Sequence, residues 1–100
     1  MNILLLCYAG MSTSILAQKL AAEAEQRGYE NATVHAVPMT ELEENLKGVS
    51  AIILGPQMRF AEKDVRAIAG TIPLMAAAPQ DFGLMRANVI MNQVEALLAG

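Results

Sequence analysis

Four short apolar runs, each followed by a stretch with helical spacing, constrain this chain more than any other feature of its sequence. Ile3-Leu4-Leu5-Leu6-Cys7 is continuous and apolar and stops at Tyr8-Ala9-Gly10, as a strand buried on both faces does. The β-rich run Ala32-Thr33-Val34-His35-Ala36-Val37 ends at Pro38, and Ala51-Ile52-Ile53-Leu54 ends at Gly55-Pro56. Ile72-Pro73-Leu74-Met75-Ala76 is the fourth run. Between them, Met11 to Arg27 places Leu16, Leu20 and Ala24 at i, i+4 and i+8, with Gly28 as the stop. Thr40-Glu41-Leu42-Glu43 reads as a capping box opening a short helix, with Leu42 and Leu46 inward and Gly48 closing it. Met58 to Ala69 is amphipathic through Ala61, Val65 and Ile68. One last helix from Leu84 to Leu98 should bury Ala87, Ile90, Met91, Val94, Leu97 and Leu98.

The order is βαβαβαβα. Short apolar strands separated by helices require crossover connections, so the expected fold is α/β: a four-stranded parallel open sheet with helices on both faces. At 100 residues the chain should form one domain over 1–100, burying roughly 60% of its unfolded surface. In such sheets ligands bind beyond the carboxyl ends of the strands. The loops on that edge are Cys7 to Ser14, Pro38 to Thr40, Gly55 to Met58 and Ala77 to Gly83.

Composition removes several classes of function. With 54% hydrophobic and 17% charged residues the chain is not a disordered tail. A net charge of -3 disfavours the phosphate backbone of nucleic acid. One cysteine and one histidine supply neither an internal disulfide nor a Cys-rich zinc site, which suits a reducing cytoplasm. Leucines ahead of a cysteine occur in lipoprotein signals, but Met1-Asn2 brings no positive charge and the first Lys or Arg is Lys19. No run approaches the ~20 apolar residues of a membrane span. Any membrane role should therefore run through a partner.

Chemistry concentrates in Cys7-Tyr8-Ala9-Gly10-Met11-Ser12-Thr13-Ser14, between a buried strand and a helix. Backbone N–H groups of such a loop, with those of the helix start, form a concavity suited to an anion. The three consecutive hydroxyls add donors or cap the helix. A free thiol has a pKa near 8.5, so about 3% is thiolate at pH 7, and a helix N-terminus shifts that balance toward the nucleophile. The plainer alternatives are a cysteine that fills the core and hydroxyls that only cap.

Known anion loops separate on spacing. A Walker loop requires a lysine beside its terminal Ser/Thr, and this segment has none. A receiver domain carries acidic residues where Cys7 stands and a phosphorylated aspartate where Gly55 stands. A low-molecular-weight cysteine phosphatase follows C-x5-R-[ST], but the sixth position after Cys7 is Thr13 and no arginine lies in the loop. Asp81 falls roughly where those phosphatases keep their general acid, with an N-cap for the last helix as its plainer role. His35 reads as a solvent-facing strand histidine and Arg59 as an exposed helix arginine. Met11 and Met58, both on the functional edge, are candidates for an apolar docking face. Asp81-Phe82-Gly83 matches a kinase motif by accident, since 100 residues cannot house a kinase.

Cys7-x-Ala9-Gly10-Met11-Ser12-Thr13-Ser14 closely resembles the active-site loop of the IIB component of the sugar phosphotransferase system (PTS), lactose/cellobiose (chitobiose) family. Leu54-Gly55-Pro56-Gln57 resembles that family's second signature, and the likeness covers essentially the whole chain. The resemblance implies a phosphatase-like or flavodoxin-like three-layer sandwich and a phosphotransferase. In it Cys7 takes a phosphoryl group from a phosphohistidine of a IIA protein and passes it to a sugar bound by the IIC membrane transporter. The cradle it implies runs over Tyr8, Ala9, Gly10, Met11, Ser12, Thr13 and Ser14, with no metal and no cofactor. Gly55, Pro56, Gln57, Met58, Arg59, Asp81 and Phe82 are the candidate docking or edge residues. Tyr8 and Phe82 depart from the family pattern, which usually has a small residue and a tyrosine there. A cysteine phosphatase or arsenate reductase, and a flavodoxin-like binding module with Cys7 as filler, are the competing functions.

Overall fold

The computed structural model describes residues 1–7 and 11–99, the side chains of Met11 and Ser12 excepted. Its strands are β1 (Asn2–Leu6), β2 (Thr33–Val37), β3 (Ala51–Leu54) and β4 (Leu74–Ala76). Its α-helices are α1 (Met11–Gln26), α2 (Glu62–Ala69), α3 (Pro79–Gly83) and α4 (Ala87–Ala99). All strand pairs are parallel, in the order β2-β1-β3-β4, so β1 and β3 are central. That position explains their sequences: β3 is buried throughout and β1 from Ile3 onward, and both are continuous apolar runs without alternation.

The pleat divides the core into two layers. Ile3, Leu5 and Ile53 pack with Leu16, Leu20 and Ala24 of α1 and Ile90, Met91 and Val94 of α4. Leu4, Leu6, Ile52 and Leu54 pack on the other face with Leu42, Met58, Ala61, Val65 and Ala69. Helices thus cover both faces, as the alternation of strands and helices predicts. At the far end from the strand tips, Arg27 ties α1 to α4. Its Nε donates to Glu23 at 2.8 Å and its Nη2 to the Asn88 carbonyl at 3.0 Å, and Nη1 reaches Glu95. The Tyr29 hydroxyl donates to the same Glu95 carboxylate at 2.6 Å. The Tyr29 hydrogen bond and then the Arg27 guanidinium hold the Glu95 carboxyl below its ordinary range.

Three local expectations are corrected. The segment after Pro38 forms two short 3-10 turns, Met39–Glu41 and Glu43–Asn45. Pro38 occupies the first N-cap with no side-chain cap bond, so the capping box is not formed. Leu42 is buried as expected, and Leu46 is half-buried. Second, the segment Pro56–Ala61 is a 3-10 helix, so α2 begins only at Glu62. Ala61, Val65 and Ala69 face inward at intervals of four, leaving Ile68 36% exposed. Third, the last helix runs over Ala87–Ala99, starting three residues later than the expected Leu84, and the loop before it carries the short helix α3 (Pro79–Gly83). Met85 adopts φ +52° between α3 and α4, a left-handed conformation that no continuous α-helix accommodates. Ile90, Met91 and Val94 are buried as predicted, Ala87 and Leu97 are half-buried, and Leu98 is exposed.

Candidate functional site

The sheet's hydrogen-bond ladder runs one residue past the strand ends and defines the site. Cys7 donates its backbone N–H to the Val37 carbonyl at 3.2 Å. Gly55 donates to the Leu6 carbonyl at 2.8 Å and Ala77 to the Leu54 carbonyl at 2.9 Å. The loops after all four strands therefore leave from one edge, with Cys7 on the central strand. Leu4 and Leu6 point into the α2 layer, Ile3 and Leu5 into the α1/α4 layer. Continued alternation turns the Cys7 side chain toward the α1/α4 layer, where it is 2% exposed.

That layer contains the start of α1, at Met11. The first four N–H groups of a helix have no intrahelical acceptor, and no acidic side chain occupies the first turn of α1 to compete for them. The thiol and the positive end of a 16-residue helix thus lie at the same end of the sheet. Thr13 is 3% exposed in that first turn, and Ser14 is exposed. The candidate cradle residues Tyr8, Ala9 and Gly10, and the side chains of Met11 and Ser12, lie outside the described residues.

The third loop divides between core and solvent. Gly55 is buried and Met58 is 3% exposed in the α2 layer, so Met58 is a packing residue and contributes no docking face. Pro56 is half-buried, while Gln57 and Arg59 are exposed. Arg59 lines an open groove of about 560 Å³ with Ala77, Pro79 and Gln93. That groove follows the free edge of β4, two strands away from Cys7.

Asp81 is buried in the first turn of the short helix α3, not at the start of the last helix. It lies inside α3, 6% exposed, with its carboxylate 3.6 Å from the Arg86 guanidinium, and its backbone carbonyl accepts from the Arg86 N–H at 2.9 Å. The N-cap role is therefore corrected: Asp81 pairs with Arg86 across the α3–α4 break. Phe82 is half-buried on the α1/α4 layer and reaches the third loop at Gly55. His35 is exposed in the middle of edge strand β2, as predicted. Among the described residues no three His, Cys, Asp or Glu side chains converge as a metal set, and no helix is long and apolar enough to cross a membrane.

Sequence reasoning missed three exposed apolar residues on segments leading away from this edge. They are Ile15 in α1 (44% exposed), Phe60 before α2 (76%) and Leu84 after α3 (65%). Phe60 carried a legible signal, as an aromatic flanked by Arg59, Glu62, Lys63 and Asp64.

Known proteins match this chain along nearly its full length. The sequence model of the family described as "PTS system, Lactose/Cellobiose specific IIB subunit" matches residues 2–96. The galactose-specific EIIB component of Lactococcus lactis subsp. cremoris (strain MG1363) is 31% identical, covering 96% of this chain and 94% of its own. The cellobiose-specific EIIB component of Lactococcus lactis subsp. lactis (strain IL1403) gives the same identity and coverage. The solution structure of a cellobiose-specific phosphotransferase IIB component from Borrelia burgdorferi is similar with a TM-score of 0.77 and 34% identity, covering 99% of this chain and 92% of that one. The lactose-specific IIB component domain of Streptococcus pneumoniae shares the fold at 16% identity, with a TM-score of 0.74 over 93% and 95% of the two chains. With its parallel sheet, its cysteine-tipped central strand and these relatives, the chain belongs to the lactose/cellobiose-specific IIB subunit family of the phosphotransferase system.

Proposed function

We propose that this chain is a phosphoryl carrier of a sugar phosphotransferase system, with Cys7 as the acceptor. IIB components of this type act as phosphotransferases in sugar uptake. The observation that carries the residue assignment is Cys7 at the tip of central strand β1, facing the layer where α1 starts with no acid in its first turn. The thiol sulfur forms a bond to phosphorus as the P–N bond of a phosphohistidine on a IIA protein breaks. The released imidazole nitrogen keeps the bonding electron pair and takes up the thiol proton. In the second step a sugar hydroxyl oxygen at the IIC transporter bonds to phosphorus, the S–P bond breaks, and the hydroxyl proton returns to sulfur.

The loop chemistry suits a carrier. Phosphoryl transfer asks the protein for alignment and for stabilisation of charge on the phosphoryl oxygens. Backbone N–H groups and the hydroxyls of Ser12, Thr13 and Ser14 supply that without the arginine that a phosphatase uses to clamp and hydrolyse its substrate. The partner surface is the exposed part of the same edge, with Gln57 and Arg59 joined by Phe60 and Leu84. The absence of a membrane-spanning helix among the described residues fits work from the cytoplasmic side, with the sugar held by IIC.

Intact-mass and peptide mass spectrometry after incubation with phosphoenolpyruvate, the general phosphotransferase proteins and a cognate IIA tests this reading. One phosphate on Cys7, absent in Cys7→Ser, is the expected result. No adduct, or steady hydrolysis of p-nitrophenyl phosphate that Cys7→Ser abolishes, overturns it.

A further inference from the structure

Gly55 has φ -63° and ψ 155°, an extended conformation open to any residue, so its backbone does not explain why a glycine stands there. Its surroundings do. A Cβ on Gly55 would lie 2.9 Å from Oε1 and 3.3 Å from Cδ of Gln57, and 3.4 Å from Cε2 of Phe82. The Gln57 carboxamide is thus folded back, oxygen first, into the space that a side chain at 55 would fill, and a half-turn about its terminal bond brings the N–H₂ to the same place. The buried neighbours of Gln57 on the loop, Gly55 and Met58, hold the backbone on either side of it, while the Gln57 side chain reaches solvent.

That space adjoins the thiol. Leu6 pairs with Leu54, and the Gly55 N–H bonds to the Leu6 carbonyl, so Gly55 is beside Cys7 on the neighbouring strand, about 5 Å away by sheet spacing. Leu5 and Ile53 belong to one layer, so two residues on, alternation directs the Cys7 side chain and the vacant Cβ direction of Gly55 to the same face. Phe82, packed in that layer, marks the same side. The start of α1 approaches from this face as well. Among the described residues no hydrogen bond engages the Gln57 carboxamide.

We infer that Gln57 is a catalytic residue of the transfer at Cys7: its carboxamide N–H₂ donates to a phosphoryl oxygen from the β3 side. This deepens the carrier reading and rests on it. A neutral donor stabilises the charge on the transferring oxygens without the permanent positive charge that would favour retention of the phosphoryl group. Gly55 acts through Gln57 by leaving its seat empty, and Phe82 forms the wall behind.

Rapid-quench single-turnover transfer from phosphorylated IIA to the full chain, at saturating donor, tests the assignment. Gln57→Ala is expected to slow formation of the Cys7 adduct on the order of a hundredfold, with an unchanged melting temperature. In Gly55→Ala the clash falls on the far end of a flexible side chain, while Phe82 remains at ordinary contact distance, so the variant folds and displaces the carboxamide. It should slow the reaction as Gln57→Ala does, and the double variant should be no slower than either. A wild-type rate in Gln57→Ala, single losses that multiply in the double variant, or a loss that disappears at saturating donor and so reports docking, overturns the inference while leaving Cys7 as carrier. Absence of any adduct on the wild-type chain overturns the carrier reading itself, and this inference with it.

Discussion

Cys7 donates its backbone N–H to the Val37 carbonyl at 3.2 Å, so the residue that carries the thiol belongs to the sheet although it follows the last residue of β1. A central strand is the most rigid anchor this fold offers, and a nucleophile held there is positioned before any partner arrives.

Burial of that thiol has a consequence for reactivity. At 2% exposure Cys7 is shielded from a bulky reagent unless the surrounding segment opens. Labelling of the native chain by a large maleimide is expected to be much slower than labelling in urea, where the chain is unfolded. A native rate equal to that of the unfolded chain would show that the thiol is open to solvent in the resting protein. Cys7→Ser should still fold, at a cost of about 1–2 kcal/mol for a buried hydroxyl in place of a thiol. Urea denaturation measures it.

Phe60 separates docking from chemistry. At 76% exposure it contributes little to the core, so Phe60→Ser should leave the urea midpoint nearly unchanged, within about 0.5 kcal/mol. If it contacts the IIA donor, the same substitution raises the donor concentration for half-maximal transfer by about tenfold, the loss of about 1.4 kcal/mol of apolar contact. The maximal transfer rate should be unaffected. A change confined to that maximal rate would remove Phe60 from the docking surface.

The register of α2 makes a contrasting pair. Ile53 is fully buried in β3, and Ile53→Ala should cost about 2–5 kcal/mol. Ile68 was placed inward by its spacing from Ala61 and Val65, yet it is 36% exposed, so Ile68→Ala should cost less than about 1 kcal/mol. Equal costs in urea denaturation would restore the inward register.

The parallel sheet was legible because the central strands are apolar on both faces, and four such runs alternating with helical spacing leave few topologies. Cys7 was legible for the same reason: topology alone carries the end of β1 to the ligand edge. What escaped was decided by local backbone geometry. Ala61 and Val65 face inward as expected, and the buried stripe continues at the next interval of four, Ala69, which leaves Ile68, one residue earlier and about 100° around the helix, toward solvent. The left-handed Met85 makes a break ahead of the last helix and delays its start to Ala87, and a methionine at that position does not announce it. Asp81 was misplaced because its partner, Arg86, lies across that break. The carboxamide of Gln57 depends on the side-chain space at Gly55, which no spacing rule contains.

The Glu95 cluster gives the chain an acid-sensitive fastening remote from Cys7. Hydrogen bonding from Tyr29, followed by Arg27, lowers the Glu95 pKa below its ordinary value of 4.5. A carboxyl whose folded pKa is depressed stabilises the native state fully above its unfolded value, and the contribution is lost as pH falls through the folded value. The melting temperature of wild type should therefore exceed that of Glu95→Gln at pH 7, with the gap closing below pH 4.5. Tyr29 titrates in the opposite sense. The Glu95 hydrogen bond raises its pKa above 10.0, so its contribution is intact below pH 10.0 and lost as pH rises through the folded value. Tyr29→Phe should accordingly lower the melting temperature at neutral pH and remove the alkaline part of the pH dependence. The side chains of Arg27 and Glu95 retain 22% and 35% exposure, so added salt should narrow the gap between wild type and Glu95→Gln. A gap that stays constant from pH 7 into acid would mean that Glu95 stabilises α4 by packing alone and that its charge contributes nothing.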